Sequence, residues 1–200
     1  MEMFPLFLKL DGRPCLLVGA GRVGEGKLRS LLRAGARVNV VAPRATAAVQ
    51  RLAKSGKILW RRRKFTGRDL EGMFLVVAAT STRSTNEVIF RQARQRGVLC
   101  NAVDDPRHCD FYYPAVVRRG SLQIAISTAG LSPELASRLR KELETSFPSE
   151  YAAWLDSLGR RRQELLQTPM PAARRQRFLR RLASRRAFEQ FLASANASKK

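Results

Sequence analysis

The sequence predicts an α/β fold: a parallel sheet with helices on both faces, then a small antiparallel hairpin and a helical C-terminal part. Three observations carry this expectation. Apolar runs of strand length alternate with helical periodicities down to Pro106. A glycine-rich turn joins the first run to the first helix. Past Pro106 the alternation stops, and two β-rich runs flank a short turn containing Gly120.

Taken in order, Cys15 to Gly19 is a short apolar strand, and Arg22 to Ala34 follows Val23 with Leu28, Leu31 and Leu32, the leucines at three- and four-residue spacings, a helix that Gly35 ends. Arg37 to Val41 alternates and is β-branched, as a second strand should be. Ala45 to Ser55 reads as a helix, Lys57 to Arg61 as a third strand and Met73 to Ala79 as a buried fourth. Asn86 to Arg96 reads as a helix and Val98 to Val103 as a fifth strand. The hairpin is expected from Tyr112 to Val117 and Ser121 to Ser127, with Arg118-Arg119-Gly120 as its turn. From Ser132 only helices follow: Ser132-Pro133 reads as an N-cap with proline in the first turn, and Pro148, Pro169 and Pro171 punctuate the rest. The expected domains are 1–112, 113–147 (hairpin and helix) and 148–200 (helical).

Thirty-eight Lys and Arg against 16 Asp and Glu give the 200-residue chain a formal charge of +22, while 44% hydrophobic residues allow a real core. A disordered basic tail and collagen-like or low-complexity classes are excluded. Self-repulsion of this size favours an anionic partner: nucleic acid, an anionic membrane surface or a small polyanion, with general arginine enrichment as the bland alternative. No helix-turn-helix or aromatic RNA-reading signature is present, so nucleic acid is not expected. Cys15, Cys100 and Cys109 fit neither a zinc pattern nor a disulfide framework, and suit a reducing, cytoplasmic location. Lys9, Asp11 and Arg13 speak against a signal peptide, and no run approaches the roughly 20 apolar residues of a membrane helix, so no membrane partner is expected.

Gly19-Ala-Gly21-Arg-Val-Gly24 fits G-x-G-x-x-G between a strand and a helix, the context of a Rossmann dinucleotide site. Gly19 permits the tight turn, Gly21 lets a pyrophosphate approach the backbone, and Gly24 lets the helix pack close on the strand. The phosphates then meet unpaired N–H groups at the positive end of the helix dipole. The acid that usually grips the ribose, about 20 residues on, is missing: that place reads Val41-Ala-Pro43-Arg44, and Arg44 can tolerate a 2′-phosphate or simply be a surface arginine. NAD and NADP both stay open on these residues. The loops after the fourth and fifth strands should also face the cofactor. There Thr80 can bond the dinucleotide or cap the next helix. Asp105, before Pro106, reads as a turn residue, whereas Asp104 closes the strand and should point into the crevice. A carboxylate there can accept a proton if its ordinary pKa of about 3.9 is raised by burial or its neighbour.

Phe4-Pro-Leu-Phe-Leu, the Gly19 fingerprint, Val41-Ala-Pro43, Ala78-Ala-Thr80, Cys100-Asn-Ala-Val-Asp104-Asp-Pro106 and Ser127-Thr-Ala-Gly-Leu-Ser-Pro133 together resemble the precorrin-2 dehydrogenase family, the N-terminal module of siroheme synthase. The resemblance covers residues 4 to about 147 in order, with a plausible helical tail beyond. It implies a Rossmann domain, a dimerisation hairpin, a helical C-terminal part and a homodimer. It implies NAD-dependent oxidation of precorrin-2 to sirohydrochlorin, and in some members insertion of ferrous iron. Asp104 takes the place of the family's catalytic carboxylate; Arg22, Val23, Pro43 and Arg44 fall where the family contacts NAD; and Thr128, Gly130 and Ser132 fall where it lines the tetrapyrrole crevice near the dimer interface.

Departures from the family exist. Thr128 stands where some relatives have serine, Ser81 replaces a frequent acid or amide, and no methyltransferase domain follows, which suggests a stand-alone form. The resemblance also gives the charge a use, since the tetrapyrrole bears many carboxylates that arginine forks suit. Arg118 and Arg119 at the hairpin turn, and Arg174, Arg177 and Arg181 on one helical face, are the candidates. His108, beside Cys109, can relay a proton or touch a metal, but no metal site is assigned. The apolar stripes Phe178/Leu182 and Phe188/Phe191/Leu192 read as core or as a dimer seam, the latter because little other chain is left to cover them. A non-catalytic nucleotide-sensing module that regulates a partner is the alternative function.

Overall fold

The computed structural model describes residues 3–197, with side chains described for 3–194. The chain divides into two compact units, Met1–Tyr112 and Tyr113–Lys200.

The first unit is built on β1 (Pro14–Ala20), α1 (Arg22–Arg33), β2 (Arg37–Ala45), α2 (Ala47–Lys54), β3 (Leu59–Arg61), β4 (Leu75–Ala78), α3 (Arg83–Gln95) and β5 (Leu99–Ala102). All strands pair in parallel, in the order β3-β2-β1-β4-β5. The chain therefore winds outward from β1 to one edge and returns to build the other from β4. Their carboxyl ends flank the point where winding reverses, the place where open α/β sheets bind ligands. Both sheet faces are buried, as parallel strands require. Leu16, Val18, Val76 and Ala78 pack with Ile89, Phe90 and Ala93 of α3. At the alternate positions Leu17, Val40 and Val77 are buried too, as are Leu28 and Leu31 of α1.

The strands differ from the expected spans chiefly at their ends. β2 continues to Ala45, because Ala45 pairs with Ala20 after a register shift in β1. Pro43 is tolerated there since β3 pairs with β2 only as far as Val41, so no ladder bond needs its missing N–H. α3 begins at Arg83 rather than Asn86. The segment returning from β3 folds into a 3-10 turn, Gly67–Leu70, closed by a Thr66–Asp69 capping box. Asp69, fully buried, accepts hydrogen bonds from Arg61 Nη1 (2.9 Å), Arg63 Nη2 (2.6 Å) and Arg63 Nη1 (2.7 Å). Burial alone raises its pKa, but the hydrogen bonds from Arg63, the Thr66 N–H and Arg61 outweigh that and hold it at about 2.

The second unit holds the antiparallel hairpin β6 (Ala115–Arg119) and β7 (Leu122–Ile126), followed by α4 (Pro133–Ser146), α5 (Tyr151–Gln167), α6 (Ala172–Leu182) and α7 (Arg185–Ala197). Two expectations need correction. Arg118 and Arg119 are the last residues of β6, opposite Gln123 and Leu122, and the turn is Gly120-Ser121. Phe188 is no bare stripe: it is 7% exposed and packs on Tyr151 (centroids 4.2 Å apart) and Trp154 (5.0 Å). The intervening chain, α5, supplies the cover that the dimer-seam reading took to be lacking. Phe178, in contrast, stays exposed under the Arg181 guanidinium, 5.1 Å from its ring centroid. Among the described residues no helix is long and apolar enough to cross a membrane.

Candidate active site

The glycine turn does what its spacing demands. Gly19 has φ 95°, and a Cβ there would strike the Ala79 carbonyl, so the end of β1 and the loop after β4 touch backbone to backbone. A Cβ on Gly24 would strike the Gly19 carbonyl, which lets α1 start directly against β1. Gly21 differs, since its added Cβ meets nothing within 4 Å. Gly21 is also the N-cap of α1, with no side chain capping the helix. The first-turn N–H groups thus lie behind an open backbone position, a cradle that fits a pyrophosphate.

Around this cradle, Arg22 and Val23 are exposed on the first turn of α1, and Pro43 and Arg44 are exposed near the end of β2. Thr80 lies beside Gly19, but its hydroxyl is engaged: Oγ1 donates to Asn86 Oδ1 (2.7 Å), and the Thr80 N–H also donates to that oxygen (3.3 Å). Thr82, not Thr80, is the N-cap of α3. Asn86, a buried amide on the inner face of α3, is thus the residue that shapes this loop, and its only sequence signal is a polar side chain at a core position.

The loop after β5 sets its two acids in different surroundings. Asp105 is buried (4% exposed) and Asp104 is exposed. Asp104, just past β5, has φ 59°, in the left-handed region, and its side chain is exposed. Asp105 Oδ2 accepts from His108 Nδ1 (2.8 Å) and from Arg83 Nε (3.3 Å). The His108 hydrogen bond, opposed by burial and aided by the His108 and Arg83 charges, holds the Asp105 pKa below its ordinary value.

Lys27 is a residue that the motif reading did not single out. It is half-buried on α1, three residues past Gly24; burial pulls its ammonium pKa down, while the charges of Asp104 and Cys109 push it up. The end of α1 facing the glycine turn and the Asp104 loop are thereby within electrostatic reach. Burial raises the Cys109 thiol, and pushes Cys15 to about 11 and Cys100 to about 12, leaving all three as protonated packing groups.

The proposed substrate residues form a separate group in the second unit. Thr128 Oγ1 donates to the Ser132 carbonyl (3.0 Å) and accepts from the Ser132 N–H (3.3 Å), while Ser132 Oγ accepts from the Leu135 N–H (3.2 Å) and caps α4. Between them Ala129 and Gly130 take positive φ, 52° and 81°. Arg119 is not free to meet a ligand: Nε donates to the Phe147 carbonyl (2.5 Å) and Nη2 to the Glu144 carbonyl (2.8 Å), satisfying the end of α4. Arg118, Arg174, Arg177 and Arg181 are exposed. Among the described residues no three His, Cys, Asp or Glu side chains gather in a way that could hold a metal ion.

Residues 6–115 match a family described as NAD(P)-binding, and residues 119–146 match the sirohaem biosynthesis protein central family. The chain belongs to the siroheme synthase N-terminal module family. Siroheme synthase of Methylococcus capsulatus is 42% identical over 176 residues, 88% of this chain and 37% of the relative. Siroheme synthase 3 of Aeromonas hydrophila is 37% identical over 198 residues, 99% of this chain and 42% of the relative. The module thus spans about two fifths of the length of these curated relatives. Among solved structures, SirC, a precorrin-2 dehydrogenase, superimposes with a TM-score of 0.79 at 25% identity, covering 96% of this chain and all of SirC. The cofactor class expected from the glycine turn agrees with the family.

Proposed function

We propose that the module oxidises precorrin-2 to sirohydrochlorin with NAD. The observation that carries this reading is the likeness to SirC over 96% of this chain and all of SirC, joined to a glycine cradle sterically open only at Gly21. When bound, NAD supplies the acceptor for the hydride that leaves the macrocycle. The α1 N-terminus and the Gly21 backbone would hold the pyrophosphate; Arg22, Val23, Pro43 and Arg44 border the same cradle. Loss of hydride leaves a proton to be removed, and the exposed Asp104 carboxylate takes it. The carboxylate would hold that one proton and pass it on to solvent, which with the hydride balances the two-electron oxidation.

The +22 charge attracts a polycarboxylate, an effect that salt screens. Arg118, Thr128, Gly130 and Ser132 are the substrate-binding residues in this reading, with Arg174, Arg177 and Arg181 as further candidates. A homodimer in the cytoplasm completes it. Phe4, Leu6 and Phe7 expose an apolar surface that a second copy would cover, and protonated, unpaired cysteines suit a reducing compartment.

The test is NADH formation from precorrin-2 under anaerobic conditions, with NAD and NADP compared. The wild-type chain should turn over with NAD, and Asp104→Asn should lose nearly all turnover while binding NAD normally. NAD binding without tetrapyrrole oxidation would instead favour a nucleotide-sensing module.

A further inference from the structure

Asp104 occupies the left-handed region, where an L side chain stays only if its surroundings hold it there. The bracing is visible on both sides. The Val103 N–H donates to the Ala78 carbonyl (2.9 Å), the Asp105 N–H to the Ala102 carbonyl (3.2 Å) and the His108 N–H to the Asp105 carbonyl (3.0 Å). The Cys109 thiol spans the turn, lying 3.1 Å from the Ala102 carbonyl and 3.2 Å from that of Asp105. The Asp105 carboxylate then ties the turn to α3, directly through Arg83 and indirectly through His108, whose ring stands edge-on to Phe90 with centroids 5.1 Å apart.

One feature of this brace is not what stability alone would select. Asp105 Oδ1 is buried with no hydrogen-bond partner among the described residues, and a buried carboxylate with an unmet oxygen is costly where a neutral side chain would serve. Its return is geometric: two adjacent carboxylates are driven in different directions, one locked against α3 and the other left exposed.

We propose that Asp105, held by His108 and Arg83, is the positioning residue for Asp104, fixing the left-handed turn so that the Asp104 carboxylate is presented in one place to the reacting macrocycle. The proposal rests on the reading of Asp104 as proton acceptor. Asp105 takes no proton and forms no bond in the reaction. His108, the only histidine in the chain, thereby gains a role as the donor that holds Asp105.

The experiment measures kcat and KM for NAD with precorrin-2 on the full chain, together with melting temperature, for Asp105→Ala, Asp105→Asn and Asp104→Asn. Misplacing the acceptor should lower kcat of Asp105→Ala by about 10- to 100-fold, with KM for NAD within about two-fold of wild type. Asp105→Asn keeps an amide oxygen that can accept from His108 Nδ1, and should recover most of kcat. Wild-type kcat in Asp105→Ala would overturn the proposal. So would a loss that Asparagine does not repair and that tracks a loss of NAD affinity, since that is plain structural damage. If Asp105→Ala does not fold, His108→Ala, which removes the donor from a partly exposed position, carries the same expectation. Normal turnover by Asp104→Asn would overturn the reading of Asp104 itself; an inactive Asp104→Asn beside a normal Asp105→Ala would overturn only the positioning role.

Discussion

In a Gly21→Ala variant the new methyl group meets nothing within 4 Å, whereas in Gly19→Ala it is driven into the Ala79 carbonyl at φ 95°. The two substitutions therefore separate cofactor binding from folding. At Gly21 the backbone is extended (φ −75°), so alanine is unstrained. A weaker N-cap costs about 1 kcal/mol or less and the lower entropy of the unfolded chain returns about half of that. The melting temperature should fall by no more than about 4 °C. In the proposed binding mode the methyl group would stand where the pyrophosphate approaches. Losing one charge-assisted hydrogen bond to the backbone costs about 1.5 to 3 kcal/mol, or about 10- to 150-fold in Kd for NAD. At Gly19 the left-handed conformation costs about 1 to 2 kcal/mol and the backbone clash about 1 to 3 more. That total of about 2 to 5 kcal/mol lowers the melting temperature by about 4 to 20 °C. Calorimetric NAD titration and thermal denaturation with and without NAD read both effects; NAD should raise the melting temperature of the wild type and leave Gly21→Ala almost unmoved. Wild-type NAD affinity in Gly21→Ala, or wild-type stability in Gly19→Ala, would refute the steric reasoning.

Two further substitutions probe the rest of the fold. The Asp69 carboxyl is held at about 2 in the folded chain against 3.8 ordinarily, so it adds about 2 kcal/mol above pH 4 that is lost as pH falls from about 4 to about 2; urea titrations across that window should show the loss in wild type and a flatter profile in Asp69→Asn. Arg119→Ala strips the guanidinium from the Glu144 and Phe147 carbonyls and should destabilise the hairpin and α4 by about 1 to 3 kcal/mol, read by hydrogen exchange of those segments, with NAD affinity unchanged.

Much of this was legible in the residues, and the part that was not has physical causes. β1 and β4 announce themselves because strands buried on both faces must be apolar throughout, and Gly19, Gly21 and Gly24 because turn geometry dictates their spacing. That Asp105 is the buried member of the pair was hidden, since the left-handed turn at Asp104 decides which neighbour is buried and no local pattern records it. Arg119 looked like a solvent-facing cation because its acceptors lie 25 and 28 residues away at the end of a helix. The cover over Phe188 likewise comes from Tyr151 and Trp154, contacts that helical periodicity cannot express. Thr66-x-x-Asp69 did carry a signal, the capping-box spacing, and Lys27 carried a weaker one in its three-residue offset from Gly24.

The central claim is that the Gly19–Gly24 turn seats a dinucleotide whose nicotinamide end shares a substrate with Asp104. A crystal structure of the chain with NAD and a tetrapyrrole bound tests it most directly. The expected result is pyrophosphate oxygens on the N–H groups of the first turn of α1 and the Asp104 carboxylate against the macrocycle. A dinucleotide bound elsewhere, or a macrocycle out of reach of Asp104, would contradict it.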